Sequence, residues 1–212
     1  MLIEGYDVKD ILNDHKINVK GVLHIGAHKC EEMPFYCNIL NILPTQIIWI
    51  DAIQHEVNLS TYKGIPNVFC NVISDTDNES VVFYKTNNVQ SSSILELGTH
   101  RQEHPDVFVV ETTQMNTITI DSFFSKNGFD ARNFNFWNLD IQGAEYKALL
   151  GGIASLPFVD ALYLEVNSNE LYKGCTLLPE LDDFLTTHGF TRNKTIMTHH
   201  GWGDALYIRL KN

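Results

Sequence analysis

Short runs of β-branched and apolar residues alternate with stretches of helical spacing along most of the chain. Residues 21–26 form the first such run and predict a buried strand. Residues 31–43 carry apolar positions at helical spacing, and Pro44 ends the pattern. Residues 46–51 predict a second strand that closes on an acid, Asp51. A short helix over 57–62 leads to a third strand over 68–73, closed by Ser74 and Asp75. Strands apolar throughout, joined by helices, predict an α/β architecture whose parallel sheet is covered on both faces.

The middle of the chain is less regular. Residues 80–85 alternate with period two and predict an extra strand. The polar, serine-rich residues 87–93 predict a loop, and residues 119–127 a helix. An aromatic run (Phe134, Phe136, Trp137) then ends in Asp140, Gly143 follows, and residues 144–150 are helix-forming. Residues 160–166 predict another buried strand ending beside Glu165. Residues 177–188 are amphipathic, with Gly189 as terminator. Residues 190–197 and 204–210 around Gly201-Trp202-Gly203 predict a closing hairpin. Residues 1–20 read as an N-terminal helical extension. With neither linkers nor repeats, the pattern predicts a single domain over 1–212.

Composition narrows the function classes. Fifteen basic against 26 acidic residues give a net charge of −11, which repels a phosphate backbone and argues against bulk nucleic-acid binding. The N-terminus lacks the basic-then-apolar pattern of a signal peptide. No apolar run reaches the roughly 18 residues of a membrane span. Four cysteines (Cys30, Cys37, Cys70, Cys175) stand far apart, so free thiols and a cytoplasmic location are expected. Their spacing does not suit zinc, and no metal is expected.

Candidate chemistry sits at the ends of predicted strands, where ligands bind in open α/β sheets. Gly26 and Ala27, after the first strand, permit close approach of a ligand to the backbone. Asp51 ends the second strand, 25 residues later, where an acid accepts hydrogen bonds from a ribose diol. The turn holds one glycine where a dinucleotide site uses three, which disfavours a pyrophosphate and favours a nucleoside cofactor without phosphates. Asp140 ends a later strand and is placed beside the reacting group.

Leu23-His24-Ile25-Gly26-Ala27-His28, Trp49-Ile50-Asp51-Ala52, Asn71-Val72-Ile73-Ser74-Asp75, Ser91-Ser92-Ser93, Thr119-Ile120-Asp121-Ser122-Phe123 and Leu139-Asp140-Ile141-Gln142-Gly143-Ala144-Glu145 together resemble the FkbM family of S-adenosylmethionine-dependent methyltransferases. The resemblance runs over roughly residues 20–210, and its most diagnostic part is the segment Asp140–Glu145. It implies a Rossmann-like class I methyltransferase fold, with a seven-stranded, mostly parallel sheet whose last strand is antiparallel and helices on both faces. It also implies S-adenosylmethionine as cofactor and O-methylation, often of a sugar hydroxyl. The cofactor residues so implied are His24, Gly26, Ala27, His28, Asp51, Ala52, Ser74, Asp75, Asp140 and Gln142. The family pattern has an aspartate at the position of His24 and a glycine at that of Cys30. Glu31 and Glu32 are near enough in sequence to replace the missing charge.

A base for a hydroxyl acceptor is expected among Asp140, Glu165 and His199, with His28 and His200 as further candidates. His100, Arg101 and His104, near the serine-rich loop, are candidates for an acceptor site, with surface exposure the favoured reading. Glu145 suits the first turn of its own helix, where a carboxylate meets the positive end of the dipole, and a catalytic role suits it equally. The expected activity is methylation of a hydroxyl on a glycan or glycosylated small molecule. The rival is a catalytically silent module of the same fold that recognises glycans or serves as a scaffold.

Overall fold

The computed structural model describes residues 1–210. Its central strand, β1 (Val22–Ile25), lies between β2 (Ile47–Asp51) and β7 (Phe136–Leu139), parallel to both. β3 (Val68–Cys70) flanks β2, and β8 (Ala161–Asn167) flanks β7. β10 (Trp202–Arg209) is antiparallel to β8 and to β9 (Phe190–Met197), giving the order β3-β2-β1-β7-β8-β10-β9. The expected seven-stranded sheet with an antiparallel last strand is therefore present. The strand order reverses between β1 and β7, and a crevice opens there at the carboxyl ends.

Register decides what meets in that crevice. Ile25 is level with Ile50 on one side and with Leu139 on the other. The residues that follow, Gly26, Asp51 and Asp140, consequently leave the sheet side by side. Alternation along β1 divides its side chains between two cores. Leu23 and Ile25 pack with Ile50, Trp137, Leu139 and Phe123. Val22 faces Trp49, Tyr36 and Phe136, beneath the N-terminal helix α1 (Gly5–Asp14). Strands buried on both faces need apolar residues at every position, which is why β2 reads as one continuous run.

The helices mostly follow the expected pattern. They are α2 (Gln54–Tyr62), α3 (His100–Glu103), α4 (Ile120–Asn127), α5 (Glu145–Leu150) and α6 (Leu178–Thr187). Thr119 caps α4 by accepting from the Ser122 amide at 3.1 Å, and Gly128 ends it with φ of 71°. Both are residues suited to those positions.

Three expectations are corrected. The helix expected over 31–43 is a five-residue π-helix, Phe35–Ile39, in which the Leu40 amide bonds the Phe35 carbonyl at 3.1 Å. Pro44 opens a 3₁₀ turn rather than ending a helix. The third strand breaks at Asn71, whose amide bonds the Asp51 carbonyl at 3.0 Å. β4 (Val72–Ile73) then leaves the main sheet and pairs with β6 (Val109–Ile118). β6 also pairs with β5 (Ser80–Thr86), in a second, three-stranded sheet. β6 itself went unforeseen because most of its side chains are exposed, so no burial imposes an apolar period on its sequence.

Candidate active site

A cleft of about 350 Å³ lies over the carboxyl ends of β1, β2 and β7, within the size range of small-ligand pockets. Its floor begins with the turn after β1. Gly26 has φ of +88°, and a Cβ there would stand 1.7 Å from the Asp140 carbonyl oxygen. The glycine is therefore required by contact with the neighbouring turn, in addition to any ligand. Cys30, where the family pattern has glycine, adopts φ of 57°, so this chain keeps the left-handed turn at a cost of roughly 1–2 kcal/mol. Cys30 is buried, which pushes its thiol up to about 11.

The amides of this turn are already used. Gly26 and Ala27 donate to the Ile50 carbonyl at 2.8 and 3.0 Å. His28 donates to Asp51 Oδ2 at 2.7 Å, and Lys29 donates to Glu31 Oε2 at 3.2 Å. A pyrophosphate needs such amides free and pointing at it. None of these four is free, and the donor set suits a nucleoside cofactor without phosphates.

Asp51 organises both turns. Its Oδ1 accepts from the Ile53 amide at 2.7 Å while Oδ2 holds His28. Burial pushes its carboxyl up, and these two amides oppose that shift. Ala52, beside it, lines the cleft with Ile53, Asn71, Val72 and Ile73. His28 also lines the cleft; its Nδ1 meets Glu31 Oε1 at 2.8 Å and its Nε2 stands 3.9 Å from Glu56 Oε2. Those last two atoms are buried and without hydrogen-bond partners.

At the other end the diagnostic segment forms a clasp. Gln142, with φ of 59°, donates through Nε2 to Asp140 Oδ1 at 2.8 Å and to Glu165 Oε2. Its Oε1 accepts from the Tyr172 hydroxyl at 2.6 Å, and its backbone carbonyl accepts from Ser93 Oγ at 2.9 Å. Asp140 is exposed in the cleft, whereas Glu165 is buried. Burial first, then the charge of Asp140, pushes the Glu165 carboxyl well up. Glu145 is buried too, and it accepts from the amides of Ile141 at 2.8 Å and Gly143 at 3.3 Å. It thus braces the turn before its helix.

Three of the expected residues do not line the cleft, and neither does His199. His24 is buried on the face of β1 that carries Tyr36 and Trp49. Asn138 Nδ2 donates to the Tyr36 hydroxyl at 2.7 Å, which lies 3.0 Å from His24 Nδ1. Burial pushes the His24 imidazole down, so the uncharged ring accepts a hydrogen bond from the tyrosine hydroxyl. The alternation of strand side chains puts His24 on that face, one position from the turn. Glu32, 4.0 Å from His24 Nδ1, does line the cleft, as does Glu31. Ser74 and Asp75 fall outside because the chain breaks at Asn71. Ser74 donates to Asp75 at 2.9 Å, and Asp75 pairs with Lys147 of α5 at 3.6 Å. His199 is exposed and stacks on His200 at 3.8 Å between centroids. His200 in turn stacks on His104, which lines the cleft with His100.

Tyr172 and Asn71–Ile73 were not foreseen as site residues. Tyr172 stands in a loop after β8 with no local pattern to mark it. Asn71–Ile73 read as ordinary strand. Among the described residues no group of side chains is arranged to hold a metal ion, and no helix is long and apolar enough to cross a membrane.

No curated protein matches the chain in sequence. Among solved structures it is similar to a magnesium protoporphyrin IX methyltransferase from Synechocystis PCC 6803 with bound S-adenosylmethionine. That likeness has 11% identity, covers 97% of this chain and 78% of that one, and has a TM-score of 0.47. It is also similar to a S-adenosylmethionine-dependent methyltransferase from Aquifex aeolicus (14% identity, 96% and 90% covered, TM-score 0.42). A third similar structure is the 16S rRNA methylase ArmA (12% identity, 98% and 92% covered, TM-score 0.36). The sequence model of the methyltransferase FkbM domain matches residues 16–192. That match takes in the Gly26 turn, Asp51 and the Asp140–Glu145 segment, and the chain belongs to the FkbM family of S-adenosylmethionine-dependent methyltransferases.

Proposed function

We propose that the protein is an O-methyltransferase acting on a hydroxyl of a glycan or glycosylated small molecule, working as one domain in the cytoplasm and without bulk nucleic-acid binding. The observation that carries this reading is the Gln142 clasp, which holds the Asp140 carboxylate in the cleft at the carboxyl end of β7. Bound in the cleft, S-adenosylmethionine supplies an activated methyl group and its own leaving group. Gly26, Ala27, His28, Asp51 and Ala52 hold the nucleoside end, with Asn71–Ile73 in place of Ser74 and Asp75. The lone pairs of Asp51 that its two amides leave over serve the ribose diol. Glu31 and Glu32, which line the cleft, offer carboxylates to the cofactor's amino group.

The chain then has to align donor and acceptor, which contributes about 7 to 11 kcal/mol in well-oriented reactions. A proton must leave the hydroxyl late in the transfer. Glu165 is buried and held by Gln142, which leaves the exposed Asp140 as the acceptor of that proton. His199 does not line the cleft and has no part in the role. His24 lies outside the cleft, so its departure from the family pattern removes no cleft contact, which weighs against the silent module.

Calorimetry tests the donor: S-adenosylmethionine and S-adenosylhomocysteine bind and NAD does not. No heat from either sulfur compound at millimolar concentration rejects the reading. Transfer of a labelled methyl group to a panel of glycans and glycosylated natural products tests the acceptor.

A further inference from the structure

We propose that His100 is a specificity-determining residue of the acceptor subsite, where its imidazole hydrogen-bonds an uncharged, hydroxyl-bearing ring such as a pyranoside. This inference rests on the proposed O-methyltransferase reading and adds where the acceptor is recognised. The far wall of the cleft is built outside the main sheet. Leu97, Leu171, Tyr172 and Cys175 form a separate apolar cluster, with Trp202 packed against it. The backbone of α3 is fastened to this cluster, since the His100 amide bonds the Leu171 carbonyl at 3.2 Å.

His100 is only 5% exposed, lines the cleft, and its Nδ1 has no hydrogen-bond partner. A buried polar atom without a partner is uncommon and costs about 1–3 kcal/mol, so a ligand that completes its bonding gains correspondingly. The ring is held on two sides, by Tyr172 at 5.4 Å and by His104 at 4.8 Å between centroids. Tyr172 also fixes Gln142 and hence Asp140, so the same side chain ties the recognition wall to the reacting carboxylate. Burial, then the neighbouring His104, pushes His100 down to about 4. At neutral pH the ring is uncharged, with one donor and one acceptor nitrogen. It carries no charge to pair with an anion, and the exposed Asp140 carboxylate repels one. Aromatic faces beside a neutral donor-acceptor group suit a sugar.

Protein saturated with S-adenosylhomocysteine is titrated with methyl α-D-glucopyranoside, methyl α-D-mannopyranoside and methyl α-L-rhamnopyranoside. Imidazole nitrogen resonances are followed by NMR. At least one glycoside shifts the His100 ring signals. His100→Phe weakens that glycoside by about tenfold, the equivalent of one lost hydrogen bond, while affinity for S-adenosylhomocysteine stays within about twofold. His100→Gln restores part of the loss, which guards against a folding defect. The inference is overturned if no glycoside binds, if His100→Phe binds it as well as the parent, or if methyl α-D-glucuronide binds more tightly than the neutral sugars. Failure of the parent to bind S-adenosylhomocysteine instead rejects the methyltransferase reading itself.

Discussion

The Tyr172 hydroxyl donates to Gln142 Oε1 at 2.6 Å and thereby fixes which way the Gln142 amide points. With its oxygen engaged, the amide must present Nε2 to Asp140 and Glu165. A reversed amide would place an oxygen against two carboxyl groups. Tyr172→Phe removes the donor while keeping the ring. Turnover should fall about tenfold, with S-adenosylmethionine affinity nearly unchanged. Equal kcat in parent and variant would remove Tyr172 from the clasp.

Asp140 and Asp51 should separate in kinetics. Asp140→Asn keeps the size of the side chain but loses its charge, so kcat should drop by a factor of about 100 or more while cofactor affinity changes little. Asp51→Ala should do the reverse at the cofactor and also loosen the fold, because the amides of His28 and Ile53 lose their acceptor. Each unpaired amide costs about 1–3 kcal/mol. Urea denaturation and calorimetry measure the two effects, and an Asp51→Ala variant of parental stability and affinity would refute the assignment.

Gly26→Ala tests the contact between turns. The added Cβ meets the Asp140 carbonyl oxygen, and the backbone already sits at a φ that favours glycine. Destabilisation of about 2 kcal/mol or more is expected from strain alone, visible as a lowered urea midpoint. A midpoint equal to that of the parent would mean that the two turns can separate freely.

Stability should also depend on pH through groups that shift in opposite directions. His100 titrates near 4 in the fold against an ordinary value of 6.5. Between those values the unfolded chain binds the proton and the folded one does not, so this group destabilises progressively as pH falls from 6.5 to 4. His100→Gln should flatten that part of the urea profile. Burial pushes Glu145 up to about 8 from 4.5. It therefore contributes stability at low pH that is lost as pH rises through that window, and Glu145→Gln should flatten the upper limb. Variant profiles parallel to the parent would reject both assignments.

Much of the site was legible because its residues close buried strands. Gly26, Asp51 and Asp140 each follow an apolar run, and three parallel strands in register bring such positions together. The misplacements have local causes. His24 belongs to the face its strand parity dictates, and a one-residue break at Asn71 moves Ser74 and Asp75 away from the cleft.

The sequence by itself determined the parallel α/β sheet, its antiparallel closing strand, the Gly26 turn and the acid-bearing Asp140–Glu145 segment. Each is written in local periodicity or in a residue type that a turn requires. Only the tertiary structure decided that the amides of the turn are spent internally, that Tyr172 orients Gln142, and that His100 is buried beside them. Most of those relationships join residues 23 to 72 positions apart, and those of Tyr172 and His100 depend on loops packed outside the sheet, where no periodic burial leaves a pattern to read.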